Sequence, residues 1–405
     1  MKYESSHPWL TFRLETARFS AKIWILLGEA TSKFEHLAGV PLTPAVAQRL
    51  YTVYLAKGAR ATTAIEGNTL TEEQVEQLLE NKLELPPSKE YLKQEVDNII
   101  KACNAIAEGA LGATPQPLRV EEVEAFNKLV LNGLNVEPHV VPGEVRECSV
   151  GVSHYKAPEP EDCKYLLKRL VDWLGSGDFN RDSEHGLVPV VLGAIIAHLY
   201  IAWIHPFGDG NGRTARLVEF ALLARAGVPL PAAHLLSNHY NETRSEYYRH
   251  LDMASRDREN GVQKFVQYSM QGLVDGLRNQ IEHVKALQLD VAWENYVHQH
   301  FRNATTAQKR QRDLILELSR QPNPVAVGLL PFLTPEVTKL YAADTMASTL
   351  RKLRRDLVEL YQTDLVVRVG DGLKANKDVM KAFLPPRAKE ATPSTDGHQS
   401  PSKEP

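Results

Sequence analysis

The sequence has few cysteines, no long apolar run and no marked excess of charge of either sign. Cys103, Cys148 and Cys163 are far apart and odd in number, which argues against a disulfide framework or a metal knuckle. No segment reaches the roughly 20 apolar residues of a membrane span, and the first residues do not resemble a secretory signal. These absences predict a cytoplasmic protein with no membrane partner.

Length and composition point to an ordinary globular protein of more than one domain. The chain has 405 residues, more than one hydrophobic core usually supports. Apolar residues make up 43% and charged residues 24%, and the net charge of -3 gives no global attraction to nucleic acid. Helical periodicity dominates and alternating segments are rare, so we expect a mainly α fold.

Changes in pattern along the chain predict five regions. The first three are helical, and the fourth ends in a two-stranded wing. The last is rich in Pro, Ser, Thr and charge, which is typical of a disordered tail. The predicted regions are an N-terminal helical region at 1–115, a core at 116–285, a linker helix at 286–304, a winged-helix-like domain at 305–384 and the tail at 385–405.

A helix predicted from Pro44 to Ala64 places Glu66 at its C-terminal end. Gly67 suits the left-handed residue that closes a helix. The segment that begins at Thr71, TEEQ, has the pattern of a capping box and predicts the start of the next helix. Glu66 therefore faces the negative end of a helix dipole, where a carboxylate is unfavourable unless a cation lies nearby.

Two elements of the predicted core frame one loop. The segment from Val145 to Tyr155 alternates and lies between Pro-containing turns, which favours a β-hairpin flap over a helix. A helix that opens at Pro189 is apolar on nearly every side, as expected at the centre of a domain. That helix ends directly at His205.

The segment from His205 to Arg216, HPFGDGNGRTAR, is the most informative in the sequence, and we call it the motif loop. Gly208, Gly210 and Gly212 permit backbone angles and close approaches that side chains would forbid. A glycine-rich loop that opens a helix directs unpaired N–H groups and the positive end of the dipole outward. The motif loop therefore predicts an anion site.

The charged residues of the motif loop indicate which type of reaction the site can catalyse. Arg213 and Arg216 are three residues apart on the first turn and can hold adjacent phosphates. Asp209 would repel phosphate unless a cation bridges them, and Mg²⁺ prefers one or two carboxylates together with phosphate oxygens. His205 has a reference pKa near 6.5 and can accept a proton from a hydroxyl nucleophile. Together these residues predict phosphoryl or nucleotidyl transfer.

At every fixed position the motif loop resembles the signature of the Fic family, HPFx(D/E)GNGRxxR. The resemblance implies an all-α core that transfers AMP from ATP to Ser, Thr or Tyr of a target protein and releases pyrophosphate. It implies that His205 is the general base and Asp209 holds Mg²⁺, while Phe207 anchors the loop. The nucleotide-binding residues that it implies here are Gly210, Asn211, Gly212, Arg213, Thr214, Ala215 and Arg216.

Two further segments resemble parts of the same family. The predicted hairpin resembles the flap, whose free strand edge can pair with any extended target peptide. The resemblance places Val152, Ser153, His154 and Tyr155 near nucleotide and target. It also favours Tyr247 over Tyr248 for stacking on adenine, whereas an Asn that some relatives carry eight residues later is Ser255 here.

Residues 62–68, TTAIEGN, fit the inhibitory motif (S/T)xxxE(G/N) of Fic proteins, and we call them the inhibitory turn. The resemblance implies that Glu66 pairs with Arg216 and keeps ATP from settling in the reactive pose. A carboxylate in the guanidinium fork excludes a phosphate from it and repels the triphosphate. In some relatives the same Glu aligns water for the removal of AMP, so both directions stay open.

The C-terminal module carries a local cluster of cations. Its order of helices followed by a glycine-rich hairpin is that of a winged helix, and basic side chains lie on the candidate recognition helix and wing. Carboxylates dilute this charge, so an ordinary solvated face, dimerisation or target docking are alternatives to DNA binding. The basic residues are Arg351, Lys352, Arg354, Arg355, Arg368 and Lys374.

The prediction for the whole chain is an autoinhibited protein adenylyltransferase. It uses ATP and Mg²⁺, and its partner is a target protein with a Ser, Thr or Tyr hydroxyl, with self-modification and a homodimer as further options. One alternative is the same site used to remove AMP or to transfer another nucleotide. Another is a DNA-binding regulator whose core senses a ligand.

Overall fold

The computed structural model describes residues 2–110, 116–152, 155–179 and 186–381, and Val152 by its backbone alone. Contacts divide the chain into two compact units, residues 1–284 and 285–405. Among the described residues, no helix combines the length and apolar content that crossing a membrane requires.

Most of the described chain is helical, as the periodicity predicts. Sixteen α-helices lie in the described residues, and α13 contains the boundary between the units. They are α1 Tyr3–Ser6, α2 Ala21–Ala38, α3 Pro44–Ala64, α4 Glu72–Leu79, α5 Glu90–Ala110, α6 Val120–Val130, α7 Pro160–Leu174, α8 Val188–Ile204, α9 Asn211–Arg225, α10 Leu230–Ala233, α11 Leu235–Glu242, α12 Arg244–Arg256, α13 Gly261–His300, α14 Thr306–Ser319, α15 Pro335–Tyr341 and α16 Met346–Gln362.

The remaining regular elements are short. The strands are β1 Gly151–Val152, β2 Tyr155–Lys156, β3 Val325–Ala326, β4 Val366–Val369 and β5 Gly372–Ala375. The 3₁₀ helices are Thr16–Arg18, Pro87–Lys89, Val327–Phe332 and Lys377–Met380. Their small share confirms the prediction of a mainly α fold.

Helix α8 forms the centre of the first unit. Thirteen of its residues are buried, on all sides of the helix, because its sequence offers no polar face. Helix α9 packs along α8 and also contacts α3, α5 and α6. The motif loop joins α8 to α9, so the core of the unit fixes both ends of the loop.

The inhibitory turn begins in the last three residues of α3 and continues past its end, as predicted. The Thr43 hydroxyl caps the start of α3, Pro44 is its first residue, and the helix ends at Ala64. Gly67 has a φ of +104°, a conformation that favours glycine. Thr71 and Gln74 form the capping box that begins α4. Strong local signals at both ends therefore position the turn.

The hairpin is much shorter than the sequence predicts. A strand beginning at Val145 is wrong: Val145 instead forms an isolated bridge with Phe207 of the motif loop. Within the described residues of this segment, the hairpin consists of β1 and β2 alone, with Gly151 opposite Lys156 and Val152 opposite Tyr155. The cause is a contact between distant parts of the chain, which alternation within the segment does not reveal.

The second unit contains α14 to α16 and an antiparallel sheet in the order β3-β5-β4. Strands β4 and β5 form the hairpin predicted as a wing, with Val369 opposite Gly372. A buried polar cluster joins the helices: both carboxylate oxygens of Asp356 on α16 accept hydrogen bonds from Arg310, at 2.6 and 2.8 Å. The Tyr341 hydroxyl also donates to Asp356, at 2.7 Å.

Candidate functional site

His205 adopts a backbone conformation that few side chains tolerate. It ends α8 with φ 48° and ψ 57°, in the left-handed region where a helix usually has glycine or asparagine. For a residue with a Cβ this conformation costs roughly 1–2 kcal/mol. Strain of this kind is often retained at functional sites, because it directs a side chain where it is needed.

The His205 side chain is neutral at ordinary pH. Burial lowers its pKa to about 4, and the nearby Arg146 guanidinium also lowers it. Its Nδ1 lies 3.4 Å from the carbonyl oxygen of Ala202. If Nδ1 carries the proton toward that carbonyl, Nε2 keeps a free lone pair. The imidazole is then ready to accept a proton.

The rest of the motif loop is held by backbone contacts. Phe207 is completely buried and serves as the predicted anchor. Asn211 fixes it on both sides: its Oδ1 accepts from the Phe207 N–H at 2.9 Å, and its Nδ2 donates to the Phe207 carbonyl at 2.8 Å. Both polar groups of the Asn211 side chain therefore serve the loop.

The N-terminus of α9 lacks a capping side chain among the described residues. Gly210 precedes it with a φ of +76°, and a Cβ there would lie 3.1 Å from the Asn127 amide nitrogen. The first N–H groups of a helix have no partner within the helix, and with the dipole they favour an anion. The predicted anion site therefore has the required backbone geometry.

Thr214 and Ala215 lie on the buried side of α9. Both are fully buried, and the Thr214 hydroxyl donates to the Gly210 carbonyl at 2.8 Å. The structure therefore turns these two side chains into the core, and a ligand at the helix N-terminus can meet only their backbone.

Arg216 and Glu66 form the pair that the resemblance implies. An Arg216 Nη2 to Glu66 Oε1 bond of 2.5 Å joins them, and the same nitrogen donates to the Thr62 carbonyl at 2.9 Å. Arg216 is 1% exposed, while about a third of the Glu66 side chain, 32%, is exposed. Burial raises the pKa of Glu66, but Arg216 offsets this and the net shift is downward. Glu66 is therefore ionised.

The Glu66 carboxylate also rests against the anion site itself. A Cβ at Gly212, the second residue of α9, would lie 2.3 Å from Glu66 Oε1. Two nitrogens of the Arg216 guanidinium, Nε and Nη1, are buried and have no hydrogen-bond partner among the described residues. A buried cation with unused donors is a receptor for a second anion.

The positive charge of Arg213 is neutralised by two other carboxylates, those of Glu95 and Asp209. Its Nη1 lies 3.1 Å from Glu95 Oε1 on α5, and its Nη2 lies 3.3 Å from Asp209 Oδ1. Arg213 is buried, and its Nε has no hydrogen-bond partner in the part of the chain that the structure describes. Asp209 is 49% exposed at its side chain, so one face of its carboxylate is open to solvent.

The flap is partly described. The backbones of Val152 and Tyr155 pair, whereas Ser153 and His154 lie outside the described residues. The Tyr155 hydroxyl donates to the Trp203 carbonyl at 2.6 Å, and burial raises the pKa of Tyr155 well above its usual value. The Tyr155 side chain therefore fastens the flap to the end of α8.

Tyr247 is buried rather than open. Its side chain is 2% exposed, its hydroxyl lies 2.9 Å from His198 Nε2, and its ring stacks on Tyr240 with centroids 4.9 Å apart. Tyr248 is 39% exposed, and its hydroxyl lies 3.4 Å from the Ile65 carbonyl. In this state Tyr248, and not Tyr247, presents a ring beside the inhibitory turn.

Sequence reasoning missed two buried residues that shape the site. Asn127 of α6 donates to the Asp209 carbonyl at 2.9 Å and accepts from the Gly143 N–H at 2.9 Å. An Asn between Phe126 and Val130 on the apolar face of α6 is a signal that could have found it, because buried amides need partners.

Arg146 is the second missed residue, and no local pattern marks it. Its guanidinium donates to the carbonyls of His205, Cys148 and Pro158, at 2.8, 2.6 and 2.6 Å. One buried cation thus ties the candidate base to both ends of the flap.

Comparison with known proteins agrees with this geometry. The model of the Fic/DOC family matches residues 117–223. "Protein adenylyltransferase fic-1" of Caenorhabditis elegans is 31% identical over 226 residues, which cover 55% of this chain and 40% of that protein. "Protein adenylyltransferase Fic" of Nematostella vectensis is 31% identical over 198 residues, 47% of this chain and 41% of that protein. The match thus spans about two fifths of the length of these curated relatives.

Solved structures share the fold. A Fic family protein from Desulfovibrio desulfuricans superposes with a TM-score of 0.54 at 21% identity, over 86% of this chain and 92% of that one. A Fic domain containing signaling protein from Bacteroides thetaiotaomicron gives 0.52 at 23% identity, over 64% of this chain and 97% of that one. Motif, family model and fold agree: residues 117–223 match the model of the Fic/DOC family, and the fold resembles that of solved Fic proteins.

Proposed function

We propose that this chain is a protein adenylyltransferase that moves AMP from ATP to a hydroxyl of a target protein. One observation carries the proposal: a neutral His205 lies beside an uncapped helix N-terminus that has two buried arginines on its first turns. The curated relatives at about 30% identity have protein adenylyltransferase as their name, which supports the same reaction.

In the proposed reaction, the target hydroxyl attacks the α-phosphorus of ATP. Nε2 of His205 takes the hydroxyl proton as the new oxygen–phosphorus bond forms. The bond from the α-phosphorus to the bridging oxygen breaks, and pyrophosphate leaves with that electron pair. The N–H groups at the start of α9 stabilise charge near the α-phosphate, and Arg213 and Arg216 hold the outer phosphates.

Asp209 fits a role in binding Mg²⁺ together with ATP. Its carboxylate is half exposed at the edge of the anion site, and Mg²⁺ prefers one or two carboxylates plus phosphate oxygens. Among the described residues, no group of three or more His, Cys, Asp or Glu side chains forms a metal cage. The ion, when bound, neutralises phosphate charge. The exposed face of the Asp209 carboxylate would hold the ion.

We propose that Glu66 inhibits this reaction in the resting state. Its Oε1 takes the Nη2 donor of Arg216 and lies against Gly212, where a phosphate would otherwise approach. A carboxylate and a triphosphate cannot share that place without strong repulsion. Binding of ATP in the reactive pose then requires the inhibitory turn to move.

In a Glu66→Gly background, replacing Gly212 by alanine should weaken ATP binding about tenfold, because the added Cβ fills the place where a phosphate would lie. Loss of one charge-assisted hydrogen bond costs roughly 1.5–3 kcal/mol, which is tenfold or more. Isothermal titration calorimetry of the purified chain with ATP and Mg²⁺ measures the affinity for ATP. Gly28→Ala is the control, since a Cβ at Gly28 meets nothing within 4 Å. Equal affinity of the two variants would contradict the proposed phosphate position.

The proposed target is a Ser, Thr or Tyr side chain in an extended segment beside the flap. A free strand edge holds such a segment through its backbone, without selecting side chains. The chain itself is the first target to examine. A homodimer and a cytoplasmic location stay predictions of the sequence, and the three unpaired cysteines are consistent with a reducing compartment.

Labelled nucleotides test the reaction directly. ATP labelled at the α-phosphate should label a protein in a lysate or the chain itself, whereas ATP labelled at the γ-phosphate should not. Label from both positions would indicate transfer of a different group, and stronger suppression of the label by UTP than by unlabelled ATP would indicate a preference for a different nucleotide. Loss of label from a modified protein would indicate removal of AMP.

We also propose that the second unit is a winged-helix domain that binds DNA. The side chains of Arg351, Arg354 and Arg355 on α16 form no ion pair or hydrogen bond with another of the described residues. Unpaired cations on one helix beside a β-hairpin suit contacts with phosphates.

Reversing these three charges together to glutamate should reduce the salt dependence of duplex binding. Each lost phosphate contact lowers the slope of log K against log salt by about 0.9, so the triple variant should lose nearly 3. Fluorescence anisotropy at several salt concentrations measures the slope. Arg320→Glu is the control, because Arg320 already pairs with Glu317 and Glu294. An unchanged slope in the triple variant would refute the DNA-binding face.

A further inference from the structure

Glu95 of α5 contacts both halves of the candidate site. Its Oε1 lies 3.1 Å from Arg213 Nη1, in the motif loop. Its Oε2 accepts a hydrogen bond of 2.8 Å from Asn68 Nδ2, at the end of the inhibitory turn. The Glu95 side chain is 18% exposed, so water competes little for these bonds.

Asn68 is the point where the inhibitory turn is fastened to α5. It is 7% exposed, and its Nδ2 also donates to the Leu92 carbonyl at 2.9 Å. Its Oδ1 accepts from the Leu70 N–H at 3.0 Å, and its own N–H donates to the Thr63 carbonyl at 3.2 Å. Every polar group on its side chain therefore holds the turn in place.

Glu66 itself lacks such an anchor. It lies two residues before Asn68, next to Gly67, which has a positive φ and where an added Cβ would meet no atom of the described residues within 4 Å. The Arg216 pair holds only the carboxylate end of the Glu66 side chain, so the backbone that carries it depends on the rest of the turn. The position of Glu66 over Gly212 thus depends on the fastening at Asn68.

We infer that the Asn68–Glu95 hydrogen bond positions the Glu66 carboxylate. Through Glu95, helix α5 thereby couples the Glu95–Arg213 ion pair to the Glu66–Arg216 ion pair. Glu95 serves both motif arginines: it pairs with Arg213 directly and acts on Arg216 through Asn68 and the turn. An event that moves the first turns of α5 loosens both contacts together. The inference rests on the proposed inhibition, and it assigns Asn68 and Glu95 as positioning residues.

Asn68→Asp tests the inference by placing a carboxylate against Glu95. Like charges at hydrogen-bond distance should drive the turn away from α5, and the affinity for a non-hydrolysable ATP analogue with Mg²⁺ should rise about fivefold or more. Adding Glu95→Gln should restore tight inhibition, because the Gln amide can donate to the new Asp. Asn303→Asp, on an exposed residue of the second unit, is the matched control.

The Glu66→Gly background separates an effect on the position of Glu66 from a general loss of stability. In Glu66→Gly the analogue affinity should not change when Asn68→Asp is added, because no carboxylate is left to position. An equal rise in both backgrounds, or no rise in a variant with an unchanged melting temperature, would overturn the inference. A lower melting temperature that Glu95→Gln does not rescue would also count against it.

Hydrogen exchange gives a readout that does not need nucleotide. The N–H groups of Glu66, Gly67 and Asn68 donate within the turn, to Thr63, Ala64 and Thr63. Their exchange should speed up in Asn68→Asp and slow again in the double variant with Glu95→Gln. Unchanged exchange would overturn the inference even if no variant bound ATP, whereas absent ATP binding with the expected exchange would defeat the proposed function alone.

Discussion

Replacing Glu66 by glycine should raise ATP affinity and the rate of AMP transfer by tenfold to a hundredfold. The change removes the carboxylate that holds Arg216 at 2.5 Å and lies against Gly212. Coupling between competing contacts is typically worth about 1–3 kcal/mol, which corresponds to roughly 5- to 150-fold. Transfer of label from the α-phosphate of ATP measures the rate, and titration measures the affinity.

The gain should come from a freed site rather than from a looser protein. Arg216 then has Nε, Nη1 and one N–H of Nη2 free to bind phosphate oxygens. The other N–H of Nη2 still donates to the Thr62 carbonyl and keeps the side chain in position. Glycine at position 66 extends an existing turn around Gly67, so the α3 helix before it should persist. The expected variant folds normally and binds ATP better.

Glu80→Gly is the control for this prediction. Glu80 follows the last residue of α4, 14 residues after Glu66, but it is exposed, and its ion-pair partner among the described residues is Lys82. It should leave labelling unchanged. Equal labelling by wild type and Glu66→Gly, with ATP affinity unaltered, would remove the inhibitory role of Glu66.

Replacing His205 by alanine should reduce AMP transfer by a factor of about 10² to 10⁴, the usual contribution of a general base. ATP binding should change little, because His205 is not among the residues proposed to hold the phosphates. The measurement is best made in the Glu66→Gly background, where the starting rate is high. Transfer and binding should therefore separate in this variant.

A second substitution of His205 tests whether the loss of transfer comes from backbone strain at this position. Alanine is strained at the φ of 48° that His205 adopts, whereas asparagine tolerates the left-handed region. His205→Asn should keep the end of α8 intact and be as inactive as alanine. Substantial transfer by His205→Asn would show that the imidazole is not the base.

Local signals in the sequence predict a large part of this structure. The limits of α3, the capping box at Thr71 and the end of α8 at His205 follow from Pro, Gly and hydroxyl residues whose effects reach only a few positions. The motif loop is also local, so the spacing of its Gly and Arg residues is enough to indicate an anion site. The mainly α fold follows from periodicity alone.

Contacts between distant segments are what the sequence does not reveal. The hairpin prediction extended too far because Val145 pairs with Phe207, 62 residues later. Arg146 and Glu95 act through partners that no spacing rule connects to them. Tyr247 shows the same limit: its aromatic character is visible in the sequence, but its burial against Tyr240 and His198 depends on helix packing.

The most direct test of competition between Glu66 and ATP for Arg216 is a double-mutant cycle of ATP affinity. Four chains are titrated: wild type, Glu66→Gly, Arg216→Gln and the double variant. Glu66→Gly should raise the affinity tenfold or more when Arg216 is present, and only slightly when glutamine replaces it, because the contested guanidinium is then gone. The same rise in both backgrounds would contradict competition for Arg216.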